Sequence, residues 1–249
     1  MPTPFTHLVY AQRLLSDEDI PASARALIAD HLPAYYLGTV AADGHFMCAL
    51  RREDTHFYTY DRPMEDHPWR VMLRRFPALL KPTSADHRAF LAGYVAHLAM
   101  DEIWQKQMVH PRFVMQEWGS RRQRFLMLNV LLVTMDERDY PNIDPGIPHH
   151  LGKAAPDHWL PFMEDEALSG WGALINRQIA DGGQSETLAI IAPRVALPVD
   201  ALRELLDSHE RLEAELWTPI PRSALAAVEA AMYAEARTDL ALFLAETQA

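Results

Sequence analysis

His97 and Asp101 stand one helical turn apart in FLAGYVAHLAMDEIW (Phe90 to Trp104), a segment that is otherwise mostly apolar. On an α-helix, residues i and i+4 project from one face, so this imidazole and this carboxylate would point the same way. The spacing suits a pair of metal ligands, and it falls in a core-type helix where an unpartnered carboxylate is costly to bury. Spacing alone decides little. With 34 acidic residues in 249, about 1.6 of the 12 histidines should have an acid four residues on by chance. The chain has two such cases, His97/Asp101 and His209/Glu213. The second lies on a charged, solvated stretch and is set aside.

Eight of the 12 histidines fall within the first 110 residues. His7 (T-H-L-V-Y-A), Asp43 (A-A-D-G) and His56 (T-H-F-Y) are the further candidates there. Each has a plainer reading. His7 could be a half-buried or capping histidine, Asp43 a turn carboxylate before Gly44, His56 a packed ring among aromatics, and His110 the end of a helix before Pro111. Arg51 and Arg52 precede the His56 block, and either could hold a nonbridging phosphate oxygen as a bidentate donor. Surface pairing with Glu53 or Asp54 would account for them equally well.

The elements that would carry these residues read as helices. Thr3 and Pro4 open a first helix with Leu8, Ala11, Leu14 and Leu15 on its apolar stripe. A second helix follows Pro21 to about Leu32, and Pro33 opens a third, which ends near Asp43-Gly44. His45 to Asp61 is expected to be irregular or weakly extended, with a helix after it around Trp69 to Phe76. Ser84 is a plausible N-cap for the long helix bearing His97 and Asp101, expected to stop near Val109, before Pro111. A further helix spans Ser120 to Arg138 with Phe125, Leu128, Leu131, Leu132 and Met135 at core spacing. YPNIDPGIPHH (residues 140 to 150) is the best candidate boundary, and helices follow near 165–181, 198–216 and 221–246. There is no convincing run of alternating strands and no internal repeat, so the expected fold class is all-α. The division expected is a metal-binding core at 1–140 and a C-terminal helical extension at 150–249 packed on it in one compact domain.

Composition narrows the chemistry. A hydrophobic share of 49% suits a folded globule, and a net charge of −11 disfavours binding to a nucleic-acid backbone or an anionic membrane. One phosphodiester held at a metal is still compatible, because a bound cation sets the local charge. Cys48 is the single cysteine, so neither an intrachain disulfide nor a thiolate-rich zinc site can form. Any metal site must use His, Asp and Glu, which suits zinc, manganese or iron. No apolar run reaches a membrane span and no secretion signal is evident, so a cytoplasmic protein is expected. Phosphate-loop, dinucleotide-binding, H-E-x-x-H and nucleophile-elbow motifs are absent.

In order along the chain, T-H-L-V-Y-A, A-A-D-G, T-H-F-Y and A-H-L-A-M-D resemble the zinc-dependent phospholipase C family, which shares its helical fold with secreted single-strand nucleases. The resemblance covers about residues 1–140. It implies a helical bundle of that type, with Asp43, His56, His97 and Asp101 around one metal and His7 with the second oxygen of Asp101 at a neighbouring one. The family's third metal uses a histidine soon after the H-x-x-x-D motif and a later H-x-x-x-E. His110 could supply the first of these, but Gly119 to Asp139 contains no histidine. The resemblance therefore implies a reduced centre of one or two zinc ions.

A metal in such a donor set lowers the pKa of its water toward ~7, and two metals can clamp the attacking and leaving oxygens of a phosphoryl displacement. Asp43 could double as the general base and Arg52 could bind substrate. The expected activity is hydrolysis of a phosphate ester, either a small phosphoester or a phospholipid headgroup. The rival is a helical binding or scaffold protein that keeps an inert or structural metal. Residues 150–249 could form a lid, complete the bundle or build a homodimer interface.

Overall fold

The computed structural model describes residues 2–60 and 62–247. Every regular element among the described residues is helical, as the sequence leads one to expect. Thr3 stands at the N-cap of α1 (Pro4–Leu14), where proline's fixed φ and missing N–H fit the first turn. α2 (Ala22–Asp30) ends sooner than expected: His31 is non-helical, and α3 (Leu32–Ala41) begins with Pro33 in its first turn. A 3-10 turn, Ala42–Met47, follows directly.

The next stretch is more ordered than expected. It holds α4 (Arg52–His56), in which the Arg51 N–H donates to the Asp54 carboxylate at 3.2 Å. Phe57, at φ 61, then turns the chain sharply away after His56. α5 (Pro68–Arg75) leads to α6 (Ala85–Ile103), capped by the Ser84 hydroxyl, which accepts from the His87 N–H at 3.0 Å.

α6 does not stop before Pro111. Trp104–Val114 continues it as a π-helix with Pro111 inside. The wider turn, in which the Met115 N–H donates to the His110 carbonyl at 2.9 Å, accommodates a residue with no N–H of its own.

α7 (Arg121–Asp139) buries Leu131, Leu132 and Met135 as expected, with Leu128 partly covered. Phe125 is 46% exposed, which corrects its assignment to the core. Residues 121–126 all keep some exposure, so the first turn of this helix lies at the periphery. The proline-rich connection at 140–150 includes α8 (Ile147–Leu151), whose Ile147 and Leu151 are buried, and this short helix packs on α3. α9 (Asp165–Ile179), α10 (Thr187–Arg194, not anticipated), α11 (Val199–Asp207) and α12 (His209–Leu212) follow. A π turn at Glu213–Trp217 leads to the last helix, α13 (Arg222–Glu246).

α6 is the axis of the arrangement. It is buried on all sides from Ala89 to Ile103, with α3 and α13 packed along it. One hydrophobic core runs from Phe5 to Leu244 and includes residues on both sides of the 140–150 connection. No helix of the described residues is long and apolar enough to cross a membrane.

The α3–α6 crossing is set by two glycines. A Cβ on Gly38 would lie 2.0 Å from the Phe90 carbonyl oxygen, and one on Gly93 would lie 2.3 Å from the Tyr35 carbonyl oxygen and 2.8 Å from the Thr39 nitrogen. The obstructing atoms are backbone, so no rotamer change can make room. Gly93→Ala is therefore expected to lower stability by at least about 2 kcal/mol in urea unfolding. An unchanged midpoint would show that the crossing has slack.

Candidate metal centre

Five side chains from three helices and one turn meet beside this crossing. His7 comes from α1, Asp43 from the 3-10 turn after α3, His56 from the end of α4, and His97 and Asp101 from α6. All five are buried. Asp101 divides its two oxygens. Oδ1 lies 3.5 Å from His7 Nε2, whereas Oδ2 lies 3.4 Å from His56 Nε2 and 3.8 Å from His97 Nε2. His56 Nε2 is also 3.6 Å from Asp43 Oδ1. The His7 and His97 rings stack with centroids 3.8 Å apart.

Hydrogen bonding at the far side of two rings settles which nitrogen faces inward. His97 Nδ1 lies 2.9 Å from the Thr39 carbonyl, which can only accept, so the proton is on Nδ1 and Nε2 carries a lone pair. His56 Nδ1 lies 3.2 Å from the Arg52 carbonyl and 2.9 Å from the Thr55 hydroxyl, which itself donates to that carbonyl. Tyr94 donates to the Thr55 carbonyl at 2.8 Å and fixes this corner. The inward atoms have no such partners: His7 Nε2, His56 Nε2, His97 Nε2, Asp43 Oδ1 and Asp101 Oδ1 are all buried without a hydrogen bond.

Electrostatics sets the charge states. Burial, reinforced by the neighbouring His7 ring, pushes His97 down to about 3. Burial and then the Arg52 guanidinium push His56 down as well. Burial alone would raise Asp43, but the His56 imidazole beside it and the His97 ring outweigh this and hold it at about 2. Asp101 is held well below the usual carboxylate range: burial opposes ionisation, and the three surrounding imidazoles overcome it. Near neutral pH the buried cluster thus presents ionised carboxylates and, at His56 and His97, uncharged rings with inward lone pairs.

Lone pairs facing carboxylates at 3.4–3.8 Å, too far apart for hydrogen bonds, repel one another unless a cation lies between them. Metal bonds of about 2.0–2.1 Å in a tetrahedral shell place neighbouring ligand atoms about 3.3–3.4 Å apart, close to the separations here. Two overlapping groups meet this requirement, His7/His97/Asp101 and Asp43/His56/His97, each with its ligand atoms within 4.8 Å of one another. The donor set of imidazole nitrogens and carboxylate oxygens fits zinc, and it fits manganese or iron by the same chemistry.

The two candidate arginines have different fates. Arg51 is exposed and pairs with Glu53 and Asp54. Arg52 turns inward, 3.4 Å from Asp101 Oδ2, hydrogen-bonded to the Tyr58 hydroxyl and lying over the Tyr58 and Tyr60 rings. His110 is exposed and lies outside both ligand groups, and the His209/Glu213 pair is likewise elsewhere on the surface.

A cavity of about 580 Å³ reaches the cluster at Asp43 and Arg52. Its walls are mainly apolar: Phe5, Phe46, Trp171, Ile175 and Ile191 among others, three of these five from residues beyond 150. Sequence reading missed these walls, and it missed His45, which lines the cavity edge-on to His56 with centroids 5.6 Å apart. The D-G-H run at Asp43 was the only available sign of His45. Nothing local marks Trp171, which reaches the site region by donating from its indole N–H to the Val40 carbonyl at 2.7 Å.

The fold and the cluster together define an all-α protein with a buried histidine–carboxylate centre of metal-binding type. A family model described as zinc dependent phospholipase C matches residues 6–144, and the chain belongs to that family. Searches of curated proteins and of solved structures gave no match.

The depressed histidines have a sign that can be tested. In unfolded chains these imidazoles take up a proton near pH 6.5, whereas in the fold His97 does so only near 3. Between those values the unfolded state binds more protons. The metal-free protein should therefore lose about 1.4 kcal/mol of stability per pH unit as pH falls, from His97 alone. Urea unfolding of chelator-treated protein from pH 7 to 4 should show this slope, and His97→Gln should flatten it. A flat wild-type profile would mean that these rings are not buried uncharged.

Proposed function

We propose that the protein is a zinc-dependent hydrolase of phosphate esters, and that its substrate is the phosphodiester of an amphiphile such as a phospholipid headgroup ester. The observation that carries this reading is the opening of an apolar cavity onto a buried ring of partnerless ligand atoms at Asp43, beside Arg52. His7, His56, His97, Asp43 and Asp101 would hold one or two zinc ions, with Asp101 using both oxygens. Zinc in that position supplies Lewis-acid polarisation of a phosphoryl oxygen and makes water acidic enough to attack near neutral pH.

The chain's own residues account for binding and orientation. Arg52, positioned by Tyr58 and Tyr60, donates to a nonbridging phosphate oxygen and offsets charge that develops there. Asp43 is ionised and its Oδ1 accepts no hydrogen bond within the protein, so it is placed to accept one from the attacking water and orient it. With its pKa held at about 2, it is better suited to orienting water than to keeping its proton. Phe46, Trp171, Ile175 and Ile191 take the apolar part of the substrate and keep bulk water out.

One observation favours the second reading, a binding protein with a structural metal: His110, the candidate for part of the family's third metal set, is exposed and apart from the cluster. The two readings separate in one experiment. Metal content is measured on purified protein together with hydrolysis of a generic phosphodiester and a phosphocholine ester. Wild type should carry zinc and turn over the diester. Asp101→Asn and His97→Ala should lose both metal and turnover. Arg52→Ala should keep the metal and lose about 10²-fold in kcat/KM. Bound zinc with no turnover of either substrate establishes the structural-metal reading, and no stoichiometric metal in wild type defeats both.

A further inference from the structure

A second cluster of ligand-type side chains lies at the start of α5, with α6 and α13 supplying its carboxylates. His67 Nδ1 lies 3.1 Å from Glu102 Oε2, 3.6 Å from Glu235 Oε1 and 3.7 Å from Asp239 Oδ2. The four ligand atoms fall within 4.8 Å of one another. Glu235 and Asp239 are one turn apart on α13 and share a face. Glu102 follows Asp101 on α6, about 100° further round the helix, and so joins a different group of side chains from the five-residue centre.

Acidic residues near one another are commonplace on surfaces, but this group is not solvated in the ordinary way. Glu102 is 1% exposed and Asp239 3%. Asp239 Oδ2 faces His67 Nδ1 at 3.7 Å and is buried without a hydrogen bond, as is the Trp69 indole nitrogen. Lys106 pairs with the other oxygen of Glu102. Three carboxylates thus face one ammonium and one imidazole, so acidic groups outnumber the basic groups placed to pair with them. Buried charge of this kind is costly unless a cation compensates it. The His67 side chain, 43% exposed, leaves a route for an ion and for water to complete its coordination.

We infer that His67, Glu102, Glu235 and Asp239 form a second site for a divalent cation. One imidazole and three carboxylates suit manganese or zinc. Two of its four donors lie on α13, beyond residues 6–144, so the site does not derive from the part of the chain matched to the family. A cation there clamps the C-terminal helix onto α6 and the start of α5, next to the backbone that carries Asp101. This inference is independent of the proposed activity.

The test counts manganese bound to chelator-treated full-length protein by electron paramagnetic resonance, with melting temperature recorded with and without metal. Glu235→Gln/Asp239→Asn should bind one equivalent fewer than wild type and lose part of the metal-induced rise in melting temperature. Asp101→Asn, which disables the other centre, should still bind one equivalent, and adding the two α13 substitutions should remove it. His67→Gln, at a half-exposed position that does not threaten the core, should lose the same equivalent should the double variant fail to fold. The inference is overturned if either His67→Gln or the double variant binds as many equivalents as wild type, or if Asp101→Asn binds none. The last result would leave the proposed hydrolase centre standing.

Discussion

The centre depends on how closely two helices can approach. Gly38 and Gly93 let the backbones of α3 and α6 touch, and that contact delivers the Thr39 carbonyl to His97 Nδ1 at 2.9 Å. This hydrogen bond fixes the tautomer of His97 and turns its lone pair toward Asp101. The same crossing places the end of α3 so that the following 3-10 turn drops Asp43 onto His56. A side chain at either glycine would move backbone rather than rotate away, so ligand geometry and helix packing are one constraint.

Around that crossing, the chain divides the labour between its two halves. The residues matched to the family provide the five side chains of the candidate centre. Much of the apolar cavity wall comes from α9 and α10, anchored by the Trp171 indole on the Val40 carbonyl. The mainly helical character of both halves follows from capping residues and apolar periodicity, but the shape of the cavity follows from which helices pack where. That is a tertiary outcome, which the local sequence pattern of either half does not carry by itself.

How much could be read beforehand varies residue by residue. His97 and Asp101 announce themselves through helical spacing in an apolar run. Asp43 and His56 do not, because turn carboxylates and aromatic-flanked histidines are common, and only their order along the chain relates them to a family. Arg51 and Arg52 were inseparable in sequence, yet one sits before the first turn of α4 in solvent and the other begins it facing inward. Pro111 signals a stop because an α-helix cannot use it, whereas the π turn can. Phe125 has core spacing but sits on a helix turn that extends past its neighbours. The His67 cluster was invisible for a different reason: its carboxylates on α13 look like the polar face of any acidic helix until α6 is laid against them.

The cavity mouth has a consequence for how the molecule behaves in company. Phe46, Met47 and Ile190, all lining the cavity, are 58%, 46% and 48% exposed, so an apolar rim faces water. A net charge of −11 makes two such molecules repel each other, which keeps these rims from meeting in dilute buffer. Salt shortens that repulsion to about 8 Å at physiological ionic strength and about 3 Å at 1 M. The colloidal stability of this protein is therefore tied to ionic strength in the direction opposite to that of a basic protein on nucleic acid: added salt removes what holds its hydrophobic openings apart.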